Sequence, residues 1–290
     1  MNEEFYIGWQ DKAPKSYGQW VKYVIWTLVL LVPIIAGLLV LNQRGFIASK
    51  YEISRLRTLE GILITEPIPC LKIPLGKNKI FKQNASFWEK LKVTLKNDNV
   101  GVAPFQRILL VGIGKKSAIP ALEALAKKTG KSLTGKGIRL MGKLIYYDGV
   151  VAFELGPQKQ LFQGFSKLKD EATKPVQLGK ATLRGEILDP KCYLGVMRPG
   201  EGKPHRSCAI RCLAGGIPVF FKAKTKNGVQ QYCFVLDQNG KPINDKLATY
   251  VADEVQLCGA IEQWDNWYVV KADEFKQLMP YWGKGMVMCE

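Results

Sequence analysis

A chain of 290 residues, 47% of them hydrophobic, is long enough for two ordinary domains and too apolar to be a disordered polar polymer. Lysine and arginine outnumber acidic residues 42 to 25, and the net charge of +17 favours anionic partners: lipid headgroups, nucleic acid or acidic protein faces. Seven cysteines are too few for a disulfide-dense miniprotein.

Residues 1–22 are expected to be an N-terminal cytoplasmic segment, and the stretch that follows, 23–41, is predicted to be a transmembrane helix. Tyr23 to Leu41 reads YVIWTLVLLVPIIAGLLVL, 19 residues without a charge. At ~1.5 Å per residue that run nearly crosses a hydrocarbon core of about 30 Å. Pro33 would break a soluble helix but is tolerated in lipid as a kink. A soluble core helix rarely lacks any polar face. The long lead, with no A-x-A site after the run, favours an uncleaved anchor over a removed signal peptide. Lys12, Lys15 and Lys22 precede the span, and Arg44, Lys50, Arg55 and Arg57 follow it, so flanking charge does not set the orientation.

Beyond the anchor the chain reads as a duplication. Thr58-Leu59-Glu60-Gly61-Ile62-Leu63 pairs with Thr182-Leu183-Arg184-Gly185-Glu186-Ile187, and Arg107 to Val111 pairs with Tyr232 to Leu236. Ile138 to Glu154 and Val255 to Lys271 each place a glycine, Gly142 or Gly259, after an alternating strand. Each then turns through Asp148-Gly149 or Asp265-Asn266, dipeptides that supply the positive φ of a tight hairpin. Ser117 to Lys128 and Asn244 to Val251 have helical spacing just before those hairpins. Three strands, a helix and two strands is the order of the OB-fold. The expected fold is therefore mainly β: the N-terminal helix, then two tandem five-stranded OB-like barrels, each with a short helix. The first domain spans 55–156 with an insertion at 76–102, in which Ala85 to Leu91 has the pattern of a short amphipathic helix. A polar linker, 157–179, leads to the second domain at 180–279, with a tail at 280–290. Near 100 residues, a piece from Ala181 to Glu290 is expected to fold alone.

The second domain carries the chemistry-bearing residues. Between its first strand, ending near Asp189, and its second, starting near Pro218, lie Cys192, His205, Cys208 and Cys212. His205 is the only histidine. From Arg206 the chain can run helical to Gly215, which would put His205, Cys208 and Cys212 on one face. Imidazole and thiolate suit copper and zinc, so these three with Cys192 form one candidate metal set. The spacing lacks the paired motifs of structural zinc, and C-x-x-C and C-x-x-C-H are absent. The alternative is a disulfide from Cys192 to Cys208 or Cys212, which needs no cofactor and leaves His205 dispensable for stability. A disulfide would place the domains in an oxidising compartment outside the membrane. The loop after strand one is also a common OB binding loop, making Asp189, Lys191, Tyr193, Arg206 and Arg211 candidate contacts to a partner.

The residues Gly185-x-x-x-Asp189-x-x-Cys192-Tyr193, His205-x-x-Cys208-Ala209-x-x-Cys212 and Gly215-Gly216-x-Pro218 carry a family likeness. Together with Phe5 to Pro14 before the anchor, this pattern resembles a group of bacterial membrane-anchored envelope proteins. The resemblance implies an exported, membrane-bound protein, and the expected location is the bacterial inner membrane, single-pass, with the C-terminal domains extracytoplasmic. It brings no activity with it.

Catalytic motifs are sparse. There is no G-x-S-x-G elbow, and Gly112-Ile113-Gly114-Lys115-Lys116 is too short before its lysine for a Walker loop. That segment reads as a solvated turn, and Asp189, Glu186 and Asp237 read as solvent-facing carboxylates at strand ends. The expectation is a non-enzymatic accessory or binding protein whose partners are the bilayer and another envelope protein. A copper-binding or thiol-redox factor is the second class. Single-stranded nucleic-acid binding is the third, if the domains are cytoplasmic and Tyr146, Tyr147, Trp264, Trp267 and Tyr268 offer stacking faces.

Overall fold

The computed structural model describes residues 15–42, 50–74, 105–170, 173–224 and 230–277. The expected insertion at 76–102, its short helix and the 280–290 tail lie outside these, as does most of the 1–22 segment. Lys15–Asn42 forms helix α1, 28 residues that extend beyond the uncharged run at both ends and pass through Pro33. Its stretch Tyr17–Leu39 is long and apolar enough to cross a membrane. The chain divides into two units, Met1–Ala48 and Ser49–Glu290.

In the second unit the first barrel is built from β2 (Arg57–Ile64), β3 (Cys70–Pro74), β4 (Phe105–Val111), β5 (Lys136–Tyr147) and β6 (Val150–Leu155), after a two-residue β1, Lys50–Tyr51. Helix α2, Ile119–Thr129, lies between β4 and β5 and ends at Gly130, whose φ of 63° gives the left-handed turn of a helix C-cap. The pairings run β5-β2-β3-β4-β6, and β6 closes back on β5. One contact in that ring, β4 to β6, is parallel. The second barrel repeats this with β8 (Val176–Leu188), β9 (Phe220–Lys224), β10 (Gln230–Asp237), β11 (Glu254–Trp264) and β12 (Trp267–Gln277). Its order is β10-β12-β11-β8-β9, and its parallel contact is β10 to β12. Numbered within each barrel, both orders are 1-2-3-5-4-1. Both barrels are OB-folds.

The matched sequence blocks fall on equivalent strands. Gly142 and Gly259 both sit where backbone approaches closely: a Cβ would stand 2.3 Å from the Glu154 carbonyl oxygen or 2.1 Å from that of Lys271. The two hairpins turn where expected, with Asp148 at φ 45° and Asp265 at φ 54°.

One expectation is corrected: much of the stretch 157–179, expected as a polar linker, is regular structure. Gln158–Leu161 makes a helical turn, Phe162–Lys169 forms β7 on the free edge of β5, and β8 already begins at Val176. Its apolar residues explain this, because Leu161 is buried in the first barrel's core with Phe162 and Phe165 packed against it. The two barrels also share buried surface. Each barrel has its own core, but a third cluster joins Ile68, Leu109 and Ile145 of the first to Phe220, Phe234 and Trp267 of the second.

Candidate thiol centre at the barrel junction

The cysteine loop lies inside that third cluster. Just after β8, the Asp189 carboxylate accepts the Lys191 backbone N–H at 2.9 Å, a side-chain turn that directs the chain inward. Lys191, Cys192, Tyr193 and Leu194 are consequently all buried. The chain returns through His205 into helix α3 of the candidate site, Arg206–Ala214 in the loop between β8 and β9. Cys208 and Cys212 are one turn apart on it and share a face.

The Cys192 and Cys208 sulfurs are 3.8 Å apart, and the three sulfurs of Cys192, Cys208 and Cys212 all lie within 4.8 Å of one another. Cys192 also belongs to a second group of the same spread, with Asp189 and His205. His205 Nε2 and Asp189 Oδ2 are 4.0 Å apart, and both are buried without a hydrogen-bond partner. The single histidine therefore faces the carboxylate, and Cys192 belongs to both groups.

The first barrel supplies the rest of the site through the Gly112–Ser117 loop after β4. Lys115 Nζ lies 2.6 Å from the Cys208 sulfur. Lys191 Nζ donates in return to the carbonyls of Gly112 and Gly114, at 2.7 and 2.6 Å, and to Glu154 Oε1 at 3.3 Å. The other Glu154 oxygen accepts from the Tyr51 hydroxyl. The Ser117 N–H donates to the Gly215 carbonyl at 2.8 Å, and a Cβ on Gly215 would stand 1.8 Å from the Lys115 carbonyl oxygen. The two loops are interlocked at backbone distance.

The electrostatics are uneven across the cluster. The Cys192 thiol is held well above the usual thiol range by its hydrogen bond to Cys212, by burial and by the Asp189 carboxylate. Burial alone would raise Asp189, but the polar hydrogens of His205, Cys192, Cys212 and the Lys191 amide outweigh it and hold that carboxyl below its usual value. Lys115 is raised by its contact with Cys208. Cys208 is half-buried and Cys192 and Cys212 are buried, so a reagent in solution meets Cys208 first.

The expected partners Cys192, Cys208 and Cys212 are brought together as thiols; a disulfide would need the 3.8 Å separation to close to ~2.05 Å. The binding-loop expectation fails for Asp189, Lys191 and Tyr193, whose side chains are buried between the barrels. Arg206 is engaged within its own barrel by Asp253 at 3.0 Å and the Thr249 carbonyl at 2.7 Å. Arg211 is exposed. Asp189 is not a solvent-facing carboxylate, and His205 is buried 4.0 Å from it. The Gly112–Lys116 segment is a turn after β4, as expected, with Ile113, Gly114 and Lys116 exposed, but its backbone carbonyls also meet the second barrel. Gly112 is needed for the loop's own closure, since a Cβ there would stand 2.4 Å from the Ser117 carbonyl oxygen, and Gly114 takes a φ of 70°. Glu154 and Tyr51 gave no local sign.

No protein-family model and no curated protein matches the chain. Among solved structures, a deletion mutant of the single-stranded DNA binding protein from Thermus aquaticus overlaps 81% of this chain and 90% of its own, at 9% identity and a TM-score of 0.21. An overlap that loose carries no argument; the OB assignment rests on strand order.

Proposed function

We propose that the protein is a membrane-anchored, extracytoplasmic accessory protein of the cell envelope that presents its two OB barrels as one body to another envelope protein. The observation that carries this reading is the shared apolar cluster, with the cysteine loop wedged into it, which makes the pair of barrels a single surface. An apolar α1 of membrane-crossing length supports the anchor. In an oxidising compartment the near pair, Cys192 and Cys208, would close into a bridge that staples the loop.

Topology tests this. A phosphatase fused after Glu290 should be active, and a cytoplasmic reporter at the same place silent. The reverse result would overturn the envelope reading and favour nucleic acid. Against nucleic acid stand the hairpin aromatics: Tyr147 and Trp267 are buried at the junction, and Trp264 faces the Arg107 guanidinium at 5.6 Å.

A second reading, a copper-binding or thiol-redox factor, is favoured by one specific observation, the convergence of three sulfurs within 4.8 Å.

A further inference from the structure

We propose that, in the reduced protein, Cys192, Cys208 and Cys212 form a sulfur-only site for one copper(I) ion, with Lys115 as its charge-balancing neighbour. This goes beyond the accessory role and rests on the second reading's three-sulfur convergence.

The size of the sulfur triangle fits an ion. A metal held by thiolates at about 2.3 Å in a planar three-coordinate site spreads its sulfurs to edges of about 4.0 Å. Here one edge is 3.8 Å and the others are no longer than 4.8 Å, so small side-chain rotations complete the site. The donors come from two firm elements, the turn after Asp189 and the face of a helix.

The number and type of donors select the ion. Structural zinc is almost always four-coordinate, and among the described residues no fourth ligating group joins the three sulfurs. His205 does not join the three-sulfur group but lies with Asp189 and Cys192, where the Asp189 carboxylate is held by its own hydrogen bonds. Hard cations take oxygen ligands, whereas thiolates suit soft ions such as copper(I), and a set of three favours it over four-coordinate structural zinc. Each cysteine that binds gives its proton to solvent, and thiolates around a monovalent ion leave surplus negative charge. The Lys115 ammonium, 2.6 Å from the Cys208 sulfur, offsets part of it. Leu188, Leu194, Ile217 and Phe220 belong to the same buried apolar cluster as Cys192 and Cys212, while the half-buried Cys208 provides access for the ion.

The test uses the full chain in detergent, reduced and kept free of oxygen, titrated with copper(I) presented as its complex with a chromogenic chelator. One equivalent should be withdrawn from the chelator, and X-ray absorption of the product should show sulfur neighbours and no imidazole scattering. Cys208→Ser, Cys212→Ser and Lys115→Met should each weaken binding by about tenfold or more, with Lys115→Arg restoring it and His205→Gln leaving it unchanged. Failure to withdraw copper, an imidazole among the ligands, or full binding after the cysteine replacements would overturn the proposal. The wild-type absorption spectrum decides it even if a cysteine variant does not fold. The reporter fusions address the envelope reading separately, since copper binding in the reduced chain does not depend on topology.

Discussion

Arg107 on β4 and Asp265 in the β11–β12 turn belong to different barrels, and their side chains meet at 2.7 Å. Asn266 clasps the same arginine's backbone, its Oδ1 accepting the N–H at 2.7 Å and its Nδ2 donating to the carbonyl at 3.3 Å. The hairpin tip of one barrel thereby caps the third strand of the other. Asp265→Ala strands a guanidinium that is only 12% exposed and should cost about 3 kcal/mol in urea unfolding. The Arg107→Ala, Asp265→Ala double variant should recover part of that loss. Strict additivity of the two single changes would show that the pair is not coupled.

Gly215 has an ordinary backbone conformation, φ −77°, so its requirement is for space alone. Alanine there would drive a methyl into the Lys115 carbonyl. Gly215→Ala should destabilise the protein by about 1–3 kcal/mol and make Cys208 react faster with a thiol reagent. An unchanged alkylation rate would mean that the loop interlock does not shield the site.

A piece from Ala181 to Glu290 would expose Phe220, Phe234, Leu236, Trp267 and Val269 where the first barrel covers them. Each such side chain is worth about 1.5–3 kcal/mol when fully buried. The isolated piece should bind a hydrophobic dye and lack a cooperative transition until a fragment of residues 49–179 is added. A sharp transition in the isolated piece would show that the shared cluster is dispensable.

Glu262 sets an acid limit on the second barrel. Burial works to raise its pKa, but Lys271 at 2.5 Å, Gln177 at 2.9 Å and the Trp264 indole N–H at 2.7 Å outweigh it and hold the carboxyl below its usual 4.5. A group depressed in the folded state stabilises fully above its unfolded value and loses that contribution as pH falls through the folded one. The urea midpoint should therefore drop as pH falls from about 5 towards 3, and less steeply in Glu262→Gln. Identical slopes for the two proteins would assign the acid limit to other groups.

What could be read from the residues was local. The Asp148-Gly149 and Asp265-Asn266 turns, the helix before each closing hairpin and the helical run from Arg206 to Ala214 depend on neighbours in sequence, and each lies where its pattern put it. The gathering of Cys192 with Cys208 and Cys212 was legible because one helix turn separates two of them and a short loop brings back the third. The junction was not legible. Lys115 and Cys208 are 93 positions apart, and Arg107 and Asp265 are 158 apart, distances over which no periodicity carries information. The strand at Phe162–Lys169 was hidden by its two lysines and its glutamine, since it pairs on an edge with only part of its surface covered.

Lys191 carries three ammonium hydrogens, and across the junction it finds three acceptors: two carbonyls and a carboxylate. Its nitrogen thus has no open direction from which an acylating reagent could approach while the barrels are joined. Amine labelling of this one lysine becomes a clock for their separation, because each modified chain records a moment when the two barrels had come apart.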